Sequence, residues 1–524
     1  MKTLPLVMIT AQDRLVRALR AFPATHRLLL APGFEPLRWQ LGRWRAYRTF
    51  EHAARRVPAY RAFLRAHRCP VRLPEAGSPA RAWTRIPEMD KASYIRQYPI
   101  TERCVDGRLP RRGVVVDESS GSSGVPTSWV RGPAERAATR DLLQLGYANT
   151  AQGLTKQPFL LNAFSLGAWA TGMNVTSSLT DRTMMKSIGP DKDKIIQTMK
   201  EFGPDYTYII TSYPPFLKDL FDDDRLDWSR YDIVCAYGGE GISESMRDRI
   251  LKTAKKVLGS YGASDLEINI ALENDFTIAL RRAILADPRL QERLTRMGVH
   301  GVLPAVFQFN PYEYYIESNA AGELVVTINR AENINPRVRY NIHDRGHVAR
   351  FRDVAEALTE LGHEAVLDER ILDLPVLFLY GRSDLSVDFN GAVVPPDGLR
   401  DAVQADPELF ERVANHRLVS YEDADGSPQL HLAVQLHEGV AKPDAAEAAA
   451  RVLAAMRRAN GDFHNAIRTS AEASLPTFGV YEWRTGVFSE DGRKLKNEYV
   501  WHLDAAEAAA AGLVVDAIAA RFID

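Results

Sequence analysis

From about residue 10 to 70, Leu, Phe, Tyr and Trp recur at steps of three and four. That spacing gathers them on one helical face and predicts a helical lead-in, interrupted at Pro58 in Arg56-Val57-Pro58-Ala59-Tyr60-Arg61. From about 114 to 380 the pattern changes, and short β-rich runs alternate with helix-period segments. The strands include Tyr206-Thr207-Tyr208-Ile209-Ile210, Ile233-Val234-Cys235-Ala236-Tyr237 and Glu323-Leu324-Val325-Val326-Thr327. The helices include Asp191 to Phe202 and Ser243 to Val257. Such alternation predicts α/β layers with largely parallel sheets. After Val376-Leu377-Phe378-Leu379-Tyr380, a Gly/Asp/Pro-containing stretch near 384 to 398 marks a boundary. A smaller α+β pattern follows, with a strand at His431 to Leu436 and alanine-rich helices at Ala445 to Ala459 and Ala505 to Phe522. The expected domains are 1–383, with a helical lead-in over about 1–110, and 384–524.

Composition narrows this only a little. A chain of 524 residues, 45% apolar and 25% charged, is ordinary globular material for more than one domain. Its net charge of -1 gives no nucleic-acid footprint. Cys69, Cys104 and Cys235 form neither a metal spacing nor a disulfide framework, which suits a reducing cytoplasm. The opening MKTLPLVMIT is a poor signal peptide, and no run approaches the roughly 20 apolar residues of a spanning helix.

Chemistry enters at Ser119-Ser120-Gly121-Ser122-Ser123-Gly124-Val125-Pro126-Thr127, a hydroxyl-dense turn after Val114-Val115-Val116. Hydroxyls and backbone N–H groups on a glycine-broken turn suit a polyphosphate, because glycine lets the backbone approach the oxygens. No Gly-Lys-Ser/Thr closes the turn, so it is not the common phosphate loop.

Five segments follow in order: Gly238-Gly239-Glu240-Gly241, Ser260-Tyr261-Gly262-Ala263-Ser264-Asp265, Arg337 to Gly346, Gly381-Arg382-Ser383-Asp384 and Asp491-Gly492-Arg493-Lys494-Leu495-Lys496. In this order and spacing they resemble the core motifs of the adenylate-forming superfamily of acyl-CoA synthetases, adenylation domains and luciferases. Within it the chain resembles the phenylacetate-CoA ligase branch and its capsule-biosynthesis relatives. The early Arg-Val-Pro-x-Tyr-Arg element matches, as do Ile86-Pro87-x-x-Asp90-Lys91 and the Pro-Thr ending of the phosphate loop. The likeness runs from about residue 50 to the C-terminus.

The resemblance implies a large N-terminal domain of layered sheets and helices with a small mobile α+β C-terminal domain. It implies roles residue by residue. Ser119, Ser120, Gly121, Ser122, Ser123, Gly124 and Thr127 match the loop that grips the ATP phosphates. Gly239, Glu240 and Gly241 match the adenine segment, with Gly241 where relatives carry proline. Ser260, Tyr261, Gly262, Ala263 and Ser264 match the next AMP-contacting stretch. Asp265 stands where a glutamate usually holds Mg²⁺, one methylene shorter, and Glu267 is a second candidate. Asp344 matches the acceptor of both ribose hydroxyls, a role that suits a carboxylate's two oxygens. Arg382 matches the arginine beside ribose or phosphate. His343 is expected to be structural, with contact to substrate as the alternative.

Lys494 is the candidate catalytic lysine. Its glycine stands one place early, which leaves Lys496 as the alternative. Asp384 matches the hinge of the mobile domain, and Gly391 the glycine beside the CoA tunnel. Phe164, Trp169, Tyr237 and Gly238 match the acyl pocket, whose aromatic walls suit an aryl or arylacetic acid. The implied reaction uses ATP, Mg²⁺ and a carboxylic acid to make an acyl-adenylate, then passes the acyl group to coenzyme A. Transfer to a carrier-protein thiol, an amine or another nucleophile is the alternative, and a non-catalytic nucleotide-binding scaffold is a third reading. Relatives are often homodimers. No nucleic-acid or membrane partner is expected.

Overall fold

The computed structural model describes residues 19, 25, 30, 32–72, 83–119, 127–239, 241–300, 302–369, 372–383, 386–389, 392–422, 428–469, 475–489, 498–503, 507–508, 513 and 518–519. The helical lead-in forms as Glu35–Arg56 and Pro58–Ala66. Val57 takes extended backbone between them, and Pro58 opens the second helix, where its missing N–H costs nothing. Phe50, Ala53, Ala54, Tyr60, Phe63 and Leu64 are buried from these helices and join one core with Trp83, Met89, Tyr94, Tyr340 and Leu377. Each large apolar side chain removed from water in this way contributes roughly 1.5–3 kcal/mol.

The centre is an eleven-stranded sheet. From one edge its strands are Tyr314–Ser318, Glu323–Ile328, Tyr340–Ala349, Val376–Arg382, Ala305–Gln308, Ala271–Leu272, Lys256–Tyr261, Asp232–Gly238, Tyr206–Ser212, Gln157–Asn162 and Met184–Ser187. The last five are mutually parallel. Helices cover both faces of this half, Lys192–Phe202, Pro214–Phe221 and Glu244–Leu251 on one side and Ala170–Leu179 on the other. The other strands pair antiparallel, so the sheet is mixed rather than largely parallel. The reason is connection length: Tyr314–Ser318 and Glu323–Ile328 are joined by a short turn, and parallel pairing needs a long crossover.

Segment boundaries also differ from the sequence expectation. Asp191 lies outside its helix and caps it, its carboxylate accepting from the Lys194 N–H. The helix expected from Ser243 to Val257 ends at Leu251, and Lys256–Tyr261 is a strand with alternating burial. From Val387 onward the chain builds a second core. It lies on a five-stranded sheet ordered Val500–Leu503, Val413–Glu422, Pro428–Leu436, Thr477–Tyr481 and Ile518–Ala519, with Pro396–Ala405, Ala445–Ala459 and Gly461–Thr469 as helices. Most of the helix expected over Ala505 to Phe522 falls outside the described residues, and Ile518–Ala519 is a strand. The three cysteines are buried and unpaired. Among the described residues, no helix is long and apolar enough to cross a membrane.

Candidate active site

The C-terminal end of Lys256–Tyr261 and the strand Tyr340–Ala349 meet at one corner of the large sheet. Tyr261 donates its hydroxyl to Asp344 Oδ2 at 2.6 Å. Burial, and then the Asp344 charge, push the Tyr261 hydroxyl well above its ordinary pKa, so it stays a proton donor. Asp344 is 9% exposed and pairs in register with Arg382 on the neighbouring strand. One tyrosine hydrogen bond orients a carboxylate without exhausting its roughly four lone-pair sites. The expected ribose pair, Asp344 and Arg382, is thus brought together, with Tyr261 as an orienting partner.

The turn after Tyr261 is forced by Gly262. A Cβ there would lie 2.5 Å from the Glu267 carbonyl and 2.7 Å from the Asn269 N–H nitrogen. The tight return aims Asp265 outward and Glu267 inward. Asp265 Oδ2 accepts from the Tyr340 hydroxyl at 2.8 Å, and Oδ1 lies 3.2 Å from the Lys91 ammonium. Glu267 is buried, accepts from Tyr314 Oη at 2.8 Å and is ion-paired with Arg330. Magnesium arriving with phosphates commonly takes only one or two protein carboxylates. Asp265 fits that requirement better than Glu267, its side chain keeping 13% exposure beside the partly exposed Lys91. Glu267 does not fit, because Arg330 and Tyr314 hold it in the interior. Among the described residues, no cluster of three or more His, Cys, Asp or Glu forms a self-sufficient metal cage.

Asp90 and Lys91 reach this corner from the lead-in, which the sequence did not announce. The His343 ring contacts Glu323 Oε1 at 3.2 Å and Asp90 Oδ2 at 3.5 Å. The Asp90 hydrogen bond, with Glu323 adding to it against burial, pushes the imidazole up to about 9. Burial opposes ionisation of Glu323, yet hydrogen bonds from Ser383, Asn341, Asn319 and His343 hold it down to about 2. His343 has a left-handed backbone at φ 62°, immediately before Asp344. Such a conformation costs of order 1–3 kcal/mol and persists where the surroundings over-determine it. The two carboxylates on the ring do so here. His343 is thus held between two carboxylates beside the corner.

Two of the phosphate-loop candidates end the paired strands Val115–Ser119 and Thr127–Arg131. Ser119 and Thr127 are paired with each other. Ser120, Gly121, Ser122, Ser123 and Gly124 lie outside the described residues. Arg131 ties this strand pair to the Asp265 turn, donating to the carbonyls of Leu266 at 2.5 Å and of Ser264. The Glu118 N–H donates to Ala168 O at 3.0 Å, which brings the loop's leading strand against the Trp169 segment.

The acyl-pocket candidates divide. Phe164 lies over Gly238, where a Cβ would be 3.9 Å from Phe164 Cζ. Tyr237 points to the opposite face of its strand. Its hydroxyl accepts from Arg247 Nη2 at 3.3 Å, within a buried Arg247–Glu273 pair at 2.6 Å. Tyr237 and Phe164 therefore do not share one wall. Gly239 has φ 85° and Gly241 faces the smaller lobe, whose Arg400 Nη1 lies 3.6 Å from a Cβ built there. Arg400 is itself held by Asp397 and Asp401. Ser243 at the start of the following helix hydrogen-bonds Gln404. A Cβ on Gly381, φ 107°, would come within 2.7 Å of Asp397 Oδ2. The helix Pro396–Ala405 thus docks on the glycine segments expected to face the nucleotide. Glu240, Asp384, Gly391, Lys494 and Lys496 lie outside the described residues. Lys91, Asp90, Arg131 and Arg400 were missed because their partners are far away in sequence. Only the Asp90-Lys91 dipeptide carried a local signal.

A scan against protein families matches none, and a search of curated proteins finds no relative. Solved structures do match in fold. One is 2-hydroxyisobutyryl-CoA ligase in the postadenylation state in complex with R3-HIB-AMP, at TM-score 0.62 and 14% identity, covering 90% of this chain and 91% of that one. The same ligase and state with 2-HIB-AMP gives TM-score 0.59 at 14% identity, with coverage of 90% and 91%. An open conformation of that ligase with 2-HIB-AMP and CoA gives 0.50 at 15% identity, covering 79% of this chain and 89% of that one. The chain has the fold of the adenylate-forming enzymes.

Proposed function

We propose that this protein activates a carboxylic acid with MgATP as an acyl-adenylate and passes the acyl group to the thiol of coenzyme A. The observation that carries the reading is the Tyr261–Asp344–Arg382 corner beside the outward-facing Asp265. The fold neighbours lend support, being structures of a CoA ligase bound to acyl-AMP and, in one case, CoA.

Asp344, oriented by Tyr261, would accept both ribose hydroxyls, and Arg382 beside it would favour the phosphate end. The turn at 119–127 would hold the β- and γ-phosphates. Magnesium, when bound, supplies charge neutralisation of the phosphates, with Asp265 as its protein carboxylate. The acid's carboxylate oxygen attacks the α-phosphorus, a P–O bond forms and pyrophosphate leaves. Lys494, or Lys496, would sit against the charge that develops. The thiol sulfur then attacks the acyl carbonyl, loses its proton to solvent, and AMP leaves with the C–O bond electrons. Rotation of the smaller lobe about Asp384 would separate the two steps. The acid is aryl or arylacetic, in keeping with Phe164 over Gly238 and with a place in the phenylacetate-CoA ligase-like branch.

The test is incubation with ATP, Mg²⁺ and a panel of aryl, arylacetic and short-chain acids, with and without CoA, and identification of products by mass. Acyl-CoA and AMP formed from an aryl acid are the expected result. Acyl-AMP that accumulates unchanged by CoA would move the acceptor to a carrier-protein thiol or an amine. Absence of pyrophosphate release with every acid would remove the reading.

A further inference from the structure

A second concave site lies where the helix Glu35–Arg56 crosses the edge strand Tyr314–Ser318 of the large sheet. It is a cavity of about 250 Å³ lined by Trp39, Arg43, Tyr315, Glu317, Val348 and Arg350, among others. None of the residues assigned to adenylation lines it. Helical spacing puts Trp39 and Arg43 one turn apart on one face. Strand alternation puts Tyr315 and Glu317 on one side of the edge.

Its electrostatics set it apart from the rest of the same helix. Arg38, Arg45, Arg48, Arg55 and Arg56 each have a carboxylate partner, Asp373, Glu313, Glu332, Glu51 and Asp106 respectively. Among the described residues, Arg43 reaches the Tyr315 hydroxyl and its buried Nε has no hydrogen-bond partner. Arg350 lies with its guanidinium carbon 5.9 Å from the Trp39 ring centre. Among the described residues, neither Arg43 nor Arg350 has a carboxylate within ion-pair range. The cavity's one acid, Glu317, is already committed to Arg339 Nε at 2.7 Å and Trp83 Nε1 at 3.1 Å. Two uncompensated guanidiniums therefore face one cavity, with Trp39 and Tyr315 edge-on to each other at 6.4 Å as its apolar wall.

We propose that this cavity binds a small aromatic carboxylate, its charged end between Arg43 and Arg350 and its ring against Trp39 and Tyr315. Guanidinium groups match the planar carboxylate fork, and they also stack on aromatic faces. Its residues are separate from those of the adenylation reading, while its ligand class overlaps the aryl acid proposed there, so the experiment has to tell the two sites apart.

The experiment is equilibrium dialysis of labelled benzoate without ATP, which prevents turnover. Wild type, Arg43→Gln, Arg350→Gln and Phe164→Ala, the last removing binding to the acyl pocket, are compared, with circular dichroism as the check on folding. A saturable component that weakens about tenfold or more in each arginine variant and survives in Phe164→Ala is the expected result. If Arg43→Gln does not fold, Arg350→Gln alone decides, since Arg350 is half-buried at a helix start. Binding unchanged in the arginine variants, no saturable binding in the millimolar range, or loss of all saturable binding in Phe164→Ala would overturn the site. Inorganic phosphate held as tightly as benzoate would overturn the aromatic class.

Discussion

Asp265 and Glu267 stand two residues apart on one turn and meet opposite fates. Asp265 keeps some exposure and is held by the Tyr340 hydroxyl and the Lys91 ammonium. Glu267 faces the interior and is held by the guanidinium of Arg330 and by Tyr314, all nearly inaccessible. The difference arises at Gly262, whose closeness to the Glu267 carbonyl folds the chain back on itself. The Lys91 ammonium beside Asp265 is partly exposed, so an arriving phosphate or metal could compete for either partner. Glu267 sits in a buried network whose guanidinium is shared with Glu313, and a metal would have to break that network to reach it. On the proposed reading, chemistry and stability are divided between these neighbouring acids.

Breaking the inner pair should have the largest effect on the protein. Glu267→Ala is expected to lower unfolding free energy by about 1–3 kcal/mol, because it leaves the Tyr314 hydroxyl and one end of Arg330 without their partner while Glu313 keeps the guanidinium paired. Denaturant unfolding checks this, and a loss below about 1 kcal/mol would erase the contrast. The outer acid should behave in the reverse way. Asp265→Asn is expected to change stability by less than about 1 kcal/mol while adenylation falls roughly 10²-fold. Pyrophosphate release and the midpoint of unfolding, measured on one preparation, separate the two effects.

A weaker effect is expected where the smaller lobe meets the glycine segment. Arg400→Ala leaves the chemical groups of the corner in place but removes the side chain packed beside Gly241. A rise of about three- to tenfold in KM for ATP, with kcat nearly kept, is the expected outcome. An equal fall in kcat and kcat/KM would instead place Arg400 among the groups acting only in the transition state.

The smallest effect is a pH dependence. His343 is raised to about 9 by its Asp90 hydrogen bond, from an ordinary value near 6.5. Its stabilisation is therefore complete below about pH 6.5 and is lost as pH rises through about 9. Glu323, held to about 2, contributes above its ordinary value and loses that contribution only as pH falls through about 2. His343→Asn keeps a residue that tolerates the left-handed backbone and removes the charge. The gap in thermal midpoint between wild type and this variant should be widest near pH 6 and close by about pH 10. A gap that widens with pH would contradict the clamp.

Much of this was legible in the sequence where chemistry is local. The turn at 119–127 was read from its own residues and Tyr261, Asp344 and Arg382 from the resemblance, whereas the register that sets Asp344 opposite Arg382 came only with the structure. Tyr237 was misleading, because a strand sends successive side chains to opposite faces and the residue's face depends on register. The helix read from Ser243 to Val257 shows the same limit. Its Lys/Ala-containing end has helical propensity, but alternating burial makes a strand of Lys256–Tyr261. The Lys91–Asp265, Asp90–His343 and Arg131–Ser264 contacts join distant segments, so no local pattern announces them.

The most direct measurement is acid-dependent exchange of labelled pyrophosphate into ATP, run on wild type and Asp344→Ala. The account predicts exchange in wild type that requires the acid, and a fall of about 10²-fold or more in Asp344→Ala with folding retained. Exchange that is absent in wild type with every aryl, arylacetic and short-chain acid, or that persists undiminished without the Asp344 carboxylate, would contradict it.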